Sequence, residues 1–171
     1  MAKTLSTSFS ASLSWNHTNA LTGSLNIVNA NGFSFSKSTT NGTGAAGTAD
    51  LIYTLQTTLA GSGTTTIDVA GSVTDAFGAT ITMARVKLLF ISHTTDTTAT
   101  HVTVGNATNP VGLFSAGTAT TTVRNGGILM HGGTGATGIA VSAGTTDELL
   151  ITNADASNTA TLQIGIVGSS A

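Results

Sequence analysis

Apolar and polar residues alternate along most of this chain with a period of two. In residues 5–15, Leu5, Phe9, Ala11, Leu13 and Trp15 fall on one side, with Ser and Thr between them. One apolar face at period two describes a half-buried antiparallel strand. Leu21, Leu25 and Ile27 repeat the pattern, and Phe33 with Phe35 gives a shorter third case. Residues 39–48 (TTNGTGAAGT) break it with a Gly-rich loop. Leu51, Tyr53, Leu55 and Leu59 then share a face, Gly61-Ser62-Gly63 supplies a turn, and residues 66–69 are expected to pair back as a hairpin.

The longest nearly unbroken apolar run, residues 86–91, is interrupted only by Lys87. It predicts a central strand over 81–92, buried on both faces. Further strands are expected at 101–104, 120–124, 128–131, 139–141, 148–152 and 161–167, the last alternating as Leu162, Ile164 and Ile166. That makes about ten strands at the spacing of a sandwich. No stretch has a 3.6-residue apolar period, and strong helix formers are scarce. The reading is therefore all-β: an antiparallel β-sandwich, jelly-roll-like, with little or no helix. The 171 residues suit one domain, with 1–48 carrying the N-terminal strands and Gly-rich loop and 49–171 the main sandwich.

Composition narrows the partners. Charged residues make up 7% of the chain, against about 25% in typical soluble domains. A polar but nearly uncharged surface, with a net charge of −2, favours association of identical copies. Five Lys and Arg in no cluster argue against nucleic-acid binding. There is no cysteine, so no disulfide or thiolate site. The first residues lack the apolar core of a signal peptide, which predicts synthesis and folding in a cytoplasm, and no run of about 18 apolar residues predicts a membrane span.

Candidate chemistry dissolves on inspection. The stretch 133–138 matches G-x-G-x-x-G, but a dinucleotide site needs a helix next, and Ile139-Ala140-Val141 is strand-like. His93, Asp96 and His101 could approach a divalent cation, although Asp96 sits in a polar loop. Asp147 and Glu148 are adjacent and would face opposite sides of a strand, unlike a glycosidase pair. Asp75 opens the turn Thr74-Asp75-Ala76-Phe77-Gly78 and is explained by bonding to its own backbone. Trp15, Tyr53 and Phe77 could stack on a sugar, yet Trp15 and Tyr53 lie on the apolar phase of their strands and are expected in the core. No catalytic residue, cofactor or metal site is assigned, and the chain is read as non-enzymatic. Arg85, at the parity of Ile81 and Met83, and Arg124 are candidate contacts across a subunit boundary. Leu5, Phe9 and Leu13 are candidate interface residues, because a Thr- and Ser-rich strand with few Lys gatekeepers suits being covered.

The series Asn41-Gly42-Thr43-Gly44, Ala49-Asp50-Leu51-Ile52 and Asp68-Val69-Ala70-Gly71-Ser72-Val73-Thr74-Asp75-Ala76-Phe77-Gly78, with Ala84-Arg85-Val86-Lys87, the turn Arg124-Asn125-Gly126-Gly127 and the C-terminal Ile166-Val167-Gly168-Ser169-Ser170-Ala171, resembles small structural proteins of tailed bacteriophage virions. The resemblance implies a place on the virion and brings no catalytic residues. Within a virion, a small, weakly charged β-sandwich whose strands begin by Leu5 is expected to be a capsid decoration (cement) protein on the capsid surface, with the major capsid protein and its own copies as partners, a trimer being favoured. The alternative is a tail, collar or fibre-associated module, or a glycan-binding receptor-recognition domain.

Overall fold

The computed structural model describes residues 3–20, 26–95, 100–113, 118–133, 135 and 138–171, with the backbone alone for 16–20 and 26–31. It is all-β, with twelve strands and no helix among the described residues. No helix of the described residues is long and apolar enough to cross a membrane.

Two sheets form a sandwich. The front sheet is built from β4 (Leu51–Leu59), β12 (Ala160–Ser169) and β6 (Arg85–His93), with β9 (Ile128–Gly132) and the short β10 (Ile139–Ala140) lying end to end along the free edge of β6. The back sheet runs β5 (Thr64–Asp68), β11 (Glu148–Asn153), β7 (His101–Gly105), β8 (Thr120–Arg124). Every pairing within these two sheets is antiparallel. Leaving β10 aside, the orders 4-12-6-9 and 5-11-7-8 are those of a jelly roll, in which consecutive strands repeatedly change sheet.

The core lies between the sheets. Leu162, Ile164 and Ile166 of β12, Leu89 and Ile91 of β6, and Ile151 of β11 are all nearly inaccessible. They come from alternating positions because a pleated strand turns every second side chain inward. Leu51, Tyr53 and Leu55 pack against this core from β4, on the face expected for them, whereas Trp15 is not part of it.

Strand β6 is buried on both faces, as its apolar run predicts, but it is shorter than expected. Ile81 and Met83 are buried without belonging to a strand, and their amides bond to Val73 and Val69. A bend at Ala84 precedes β6, so the parity linking Arg85 to Ile81 and Met83 does not continue through it. Within β6 the ladder slips: Leu88 opposes Val167, and Val86 opposes the next residue, Gly168, leaving Lys87 as a bulge. The extra residue is why Val86 lies in the main core while Leu88, two positions on, packs on the outer side with Ala49 and Val167.

The expected hairpin of residues 51–59 with 66–69 does not form. The turn at Gly61 sits so close to the chain at Ala156 and Ser157 that a Cβ would overlap that backbone. Ser62 N donates to the Asp155 carbonyl, and the chain is carried across to the back sheet, where β5 pairs with β11.

Before the sandwich come β1 (Thr7–Ala20) and β2 (Asn26–Asn41), an antiparallel ribbon in unbroken register from Thr7 opposite Thr39 to Ala20 opposite Asn26. Fourteen residues of strand span about 45 Å. The two-residue β3 (Thr48–Ala49) runs parallel to the end of β2 and ties the ribbon down. At its base, Leu5 and Phe9 pack over Leu88, Val167 and Ile52 on the outer side of the front sheet.

Candidate interaction surface

The register of the ribbon sorts its residues into two unlike faces. Directly opposed residues in a ladder share a face. One face carries Phe9 opposite Lys37, Ala11 opposite Phe35, Leu13 opposite Phe33, and Trp15 opposite Asn31. The other carries Ser8 opposite Ser38, Ser10 opposite Ser36, and Ser12 opposite Ser34. The aromatic face is organised by diagonal contacts. Phe9 meets Phe35 edge to face at 6.0 Å, Trp15 tilts against Phe33 at 5.3 Å, and the Lys37 ammonium lies 5.7 Å from the centre of the Phe35 ring.

Among the described residues, the middle of this face is left open. Phe33 is 71% exposed, Leu13 63% and Phe35 43%. Single exposed apolar residues are unremarkable, but a contiguous group on a flat face marks an interaction site. A lone two-stranded ribbon is also marginally stable in water without something against its apolar face. At its base the ribbon borders a groove of about 310 Å³, floored by Phe9, Ile52, Leu88, Phe90, Met130 and Val167.

The interface residues read from the sequence occupy three different settings. Leu5 and Phe9 are half-buried at the base of the ribbon, and Leu13 stands on its open face. Arg85 is half-buried where β6 meets β10 and β12, opposite Ala140 and Ser169. Arg124 is exposed at the end of β8, opposite His101. The structure thus gathers Phe9 and Leu13 on β1, with Leu5 just before it, and leaves the two arginines elsewhere. Phe33 and Phe35, read from the sequence only as a short strand, complete the face.

The acidic residues of the described chain serve the backbone. Asp75 Oδ1 accepts from Phe77 N and Ala79 N, each at 2.9 Å, and its Oδ2 takes the Lys3 ammonium at 2.6 Å. These hydrogen bonds hold its carboxyl below the usual range, the Lys3 bond contributing most. Lys3 also lies 5.2 Å from the centre of the exposed Phe77 ring. Asp155 accepts from Ser157 N and Asn158 N and is likewise depressed by those bonds. Asp68 holds Ala70 N, Asp147 holds Gly144 N, Glu148 holds Asn109 N, and Asp50 holds Ser170. Asp68, Asp75, Asp147 and Asp155 close local turns, and Glu148 and Asp50 tie segments that are distant in sequence.

The Gly-rich stretch after β9 inverts the polarity of a phosphate cradle. The Lys87 ammonium, 1% exposed as a residue, donates to the Gly135 carbonyl at 2.7 Å, and Gly133 N donates to the Lys87 carbonyl. Gly133, Gly135 and Gly138 line a cleft of about 190 Å³ over that side chain, and β10 follows where a nucleotide site would need a helix. Burial, and then the charge of Arg85, lowers the affinity of Lys87 for its proton. Thr134, Ala136 and Thr137 lie outside the described residues.

His93 is fully buried, and neither ring nitrogen has a hydrogen-bond partner of ordinary geometry among the described residues. Burial pushes its pKa down, offset in part by the backbone of Val123 and Arg124. Asp96, the carboxylate expected beside His93 and His101, lies outside the described residues, and no group of three metal-binding side chains occurs among those described.

No family model, no curated protein and no solved structure matches this chain.

Proposed function

We propose that this protein is a non-enzymatic structural subunit of a tailed-bacteriophage virion, a capsid decoration protein that seats between major capsid proteins and associates with its own copies. The observation that carries the reading is the ribbon's open aromatic face, backed by a strip of serines. Such a face suits broad contact rather than a pocket. The employment of the acidic side chains in turns supports a structural role, as does the low charge of the chain. The jelly roll adds an analogy of fold only, since viral capsid and lectin domains both use it.

The test is copy number in the purified particle, measured by quantitative mass spectrometry. Hundreds of copies are expected, and binding to empty capsids lacking the protein should be saturable at a matching number. A dozen copies or fewer overturns decoration. Deleting residues 1–15 is expected to abolish binding to capsids, and retained assembly would count against the ribbon as the contact. The second reading, a tail- or fibre-associated glycan binder, draws on the Trp15–Phe33 ring pair on an open face. Binding to a glycan array, lost in Trp15→Ala, would favour it.

A further inference from the structure

We infer that the ribbon's aromatic face is covered by the same face of a second copy, the two arms packing antiparallel about a two-fold axis at the Leu13–Phe33 pair. The inference rests on the reading of the protein as an assembly subunit and names one of its contacts.

Area is the first argument. With about 200 Å² for a whole aromatic side chain, the exposed fractions of Phe33, Phe35 and Leu13 leave roughly 300–350 Å² of apolar surface open. Face-to-face packing removes that from both copies. With Ala11, Trp15 and the rim, the total reaches about 1,000 Å², the lower bound for a specific interface. The paired arms form a four-stranded miniature sandwich with the usual spacing of about 10 Å between layers. The serine faces then point away from the seam and remain for contact with the capsid.

Charge chooses the orientation. Lys37 belongs to the aromatic face, opposite Phe9 and over the Phe35 ring. It sits four residues from Phe33, about 13 Å along the strand. Antiparallel arms centred on Leu13 and Phe33, the most exposed pair, therefore hold the two ammonium groups about 27 Å apart, beyond the screening length of about 8 Å. A parallel pair or a parallel three-fold bundle brings the Lys37 residues to one level on an apolar seam. The arm contact is thus two-fold, in place of the three-fold association favoured with the decoration reading. A two-fold contact also suits a flat face, which is complementary to itself.

The experiment is sedimentation velocity of the whole chain, followed by cross-linking. The wild type should sediment as a dimer at micromolar concentration. Phe33→Ser with Phe35→Ser should raise the dissociation constant roughly a hundredfold or more, as loss of central aromatic anchors does. Ser12→Lys, on the opposite face, should change nothing. Because the chain has no cysteine, single replacements report position cleanly. A short bismaleimide should join Leu13→Cys subunits in high yield and leave Lys37→Cys subunits unlinked. A monomeric or trimeric wild type, a double variant that still dimerises, or efficient linkage through Lys37→Cys each overturns the inference. A monomer that still saturates empty capsids would sink the arm pairing and leave decoration standing. A dimer absent from the particle would do the reverse.

Discussion

Asn153 offers the sharpest test of how the sandwich is closed at one end. It terminates β11 in the back sheet and is 1% exposed. Its Nδ2 approaches the carbonyls of Asn158 at 2.7 Å, Ala60 at 2.9 Å and Leu59 at 3.3 Å. Its Oδ1 accepts from Asp155 N at 3.1 Å, and its own amide donates to Gly63 O at 2.8 Å. One side chain therefore joins the end of β4 in the front sheet to the loop between β11 and β12. In Asn153→Ala the Ala60 carbonyl keeps a bond from Gly63 N. The Asn158 carbonyl and the Asp155 amide lose the partners described above. At about 1–3 kcal/mol for each stranded group, moderated by water at the partly open rim, the loss is about 3 kcal/mol. For a domain of this size that lowers Tm by about 6–12 °C.

Urea denaturation followed by circular dichroism measures this, and the midpoint should fall without a change in slope. Asn153→Asp separates hydrogen bonding from volume. Its carboxylate faces carbonyl oxygens, so at neutral pH it should be worse than Ala. Its folded pKa is raised, so stability should return as pH falls and the acid form donates a hydrogen bond. A loss below about 1 kcal/mol in Asn153→Ala would refute the reasoning, as would an Asp variant indifferent to pH.

Other positions give equally definite outcomes. Because burial depresses the folded pKa of His93 below its ordinary 6.5, its contribution to stability is complete above that pH and declines as pH falls through and below it. His93→Leu should flatten this part of the stability profile, and an unchanged slope would show that another group titrates there. Gly61→Ala should cost about 3 kcal/mol, at the upper end for overpacking, because its Cβ meets backbone at Ala156 and Ser157 rather than a side chain that can move. Gly47→Ala, with open space around it and a φ of 72°, should cost only about 1 kcal/mol of strain; equal losses in thermal melts would contradict the distinction. Asp75→Ala should speed hydrogen exchange at Phe77 and Ala79 and free Lys3, and unchanged exchange rates there would show that the carboxylate does not hold the turn.

Alternation was readable wherever a strand presents one face to the core. Leu51, Tyr53 and Leu55 in β4 and Leu162, Ile164 and Ile166 in β12 declare their inward sides by period two alone. The run from Val86 to Ile91 likewise announced burial on both faces. Partners were another matter. Residues 66–69 follow β4 after a short turn, and proximity in sequence suggests a hairpin. The pairing that forms is with Glu148 to Thr152, selected by the docking of Gly61 on a segment more than ninety residues away. Nothing local encodes that. Nor does a lysine within an apolar run reveal that a bulge will bury its stem and aim its ammonium at a glycine carbonyl.

The same limit explains the arm. Period two in residues 5–15 specifies that Phe9, Ala11, Leu13 and Trp15 share a face, and the register of β1 on β2 bears this out. It does not specify what lies against the face. In β12 the identical pattern is answered by the back sheet. In β1 it is answered by Leu88 and Val167 at the base and, farther along, by nothing within the described chain. Apolar side chains cost free energy when left in water, whichever molecule eventually covers them. On the proposed assembly, a strand whose apolar pattern outruns its own domain finds its cover on a neighbour. Phe33 and Phe35 sharpen it, because they lie opposite Leu13 and Ala11 and double the apolar width of the face. Had the serines alternated with charged residues, the arm could have been a solvated spacer. With Lys37 as the one charge on the described part of that face, contact is the economical reading.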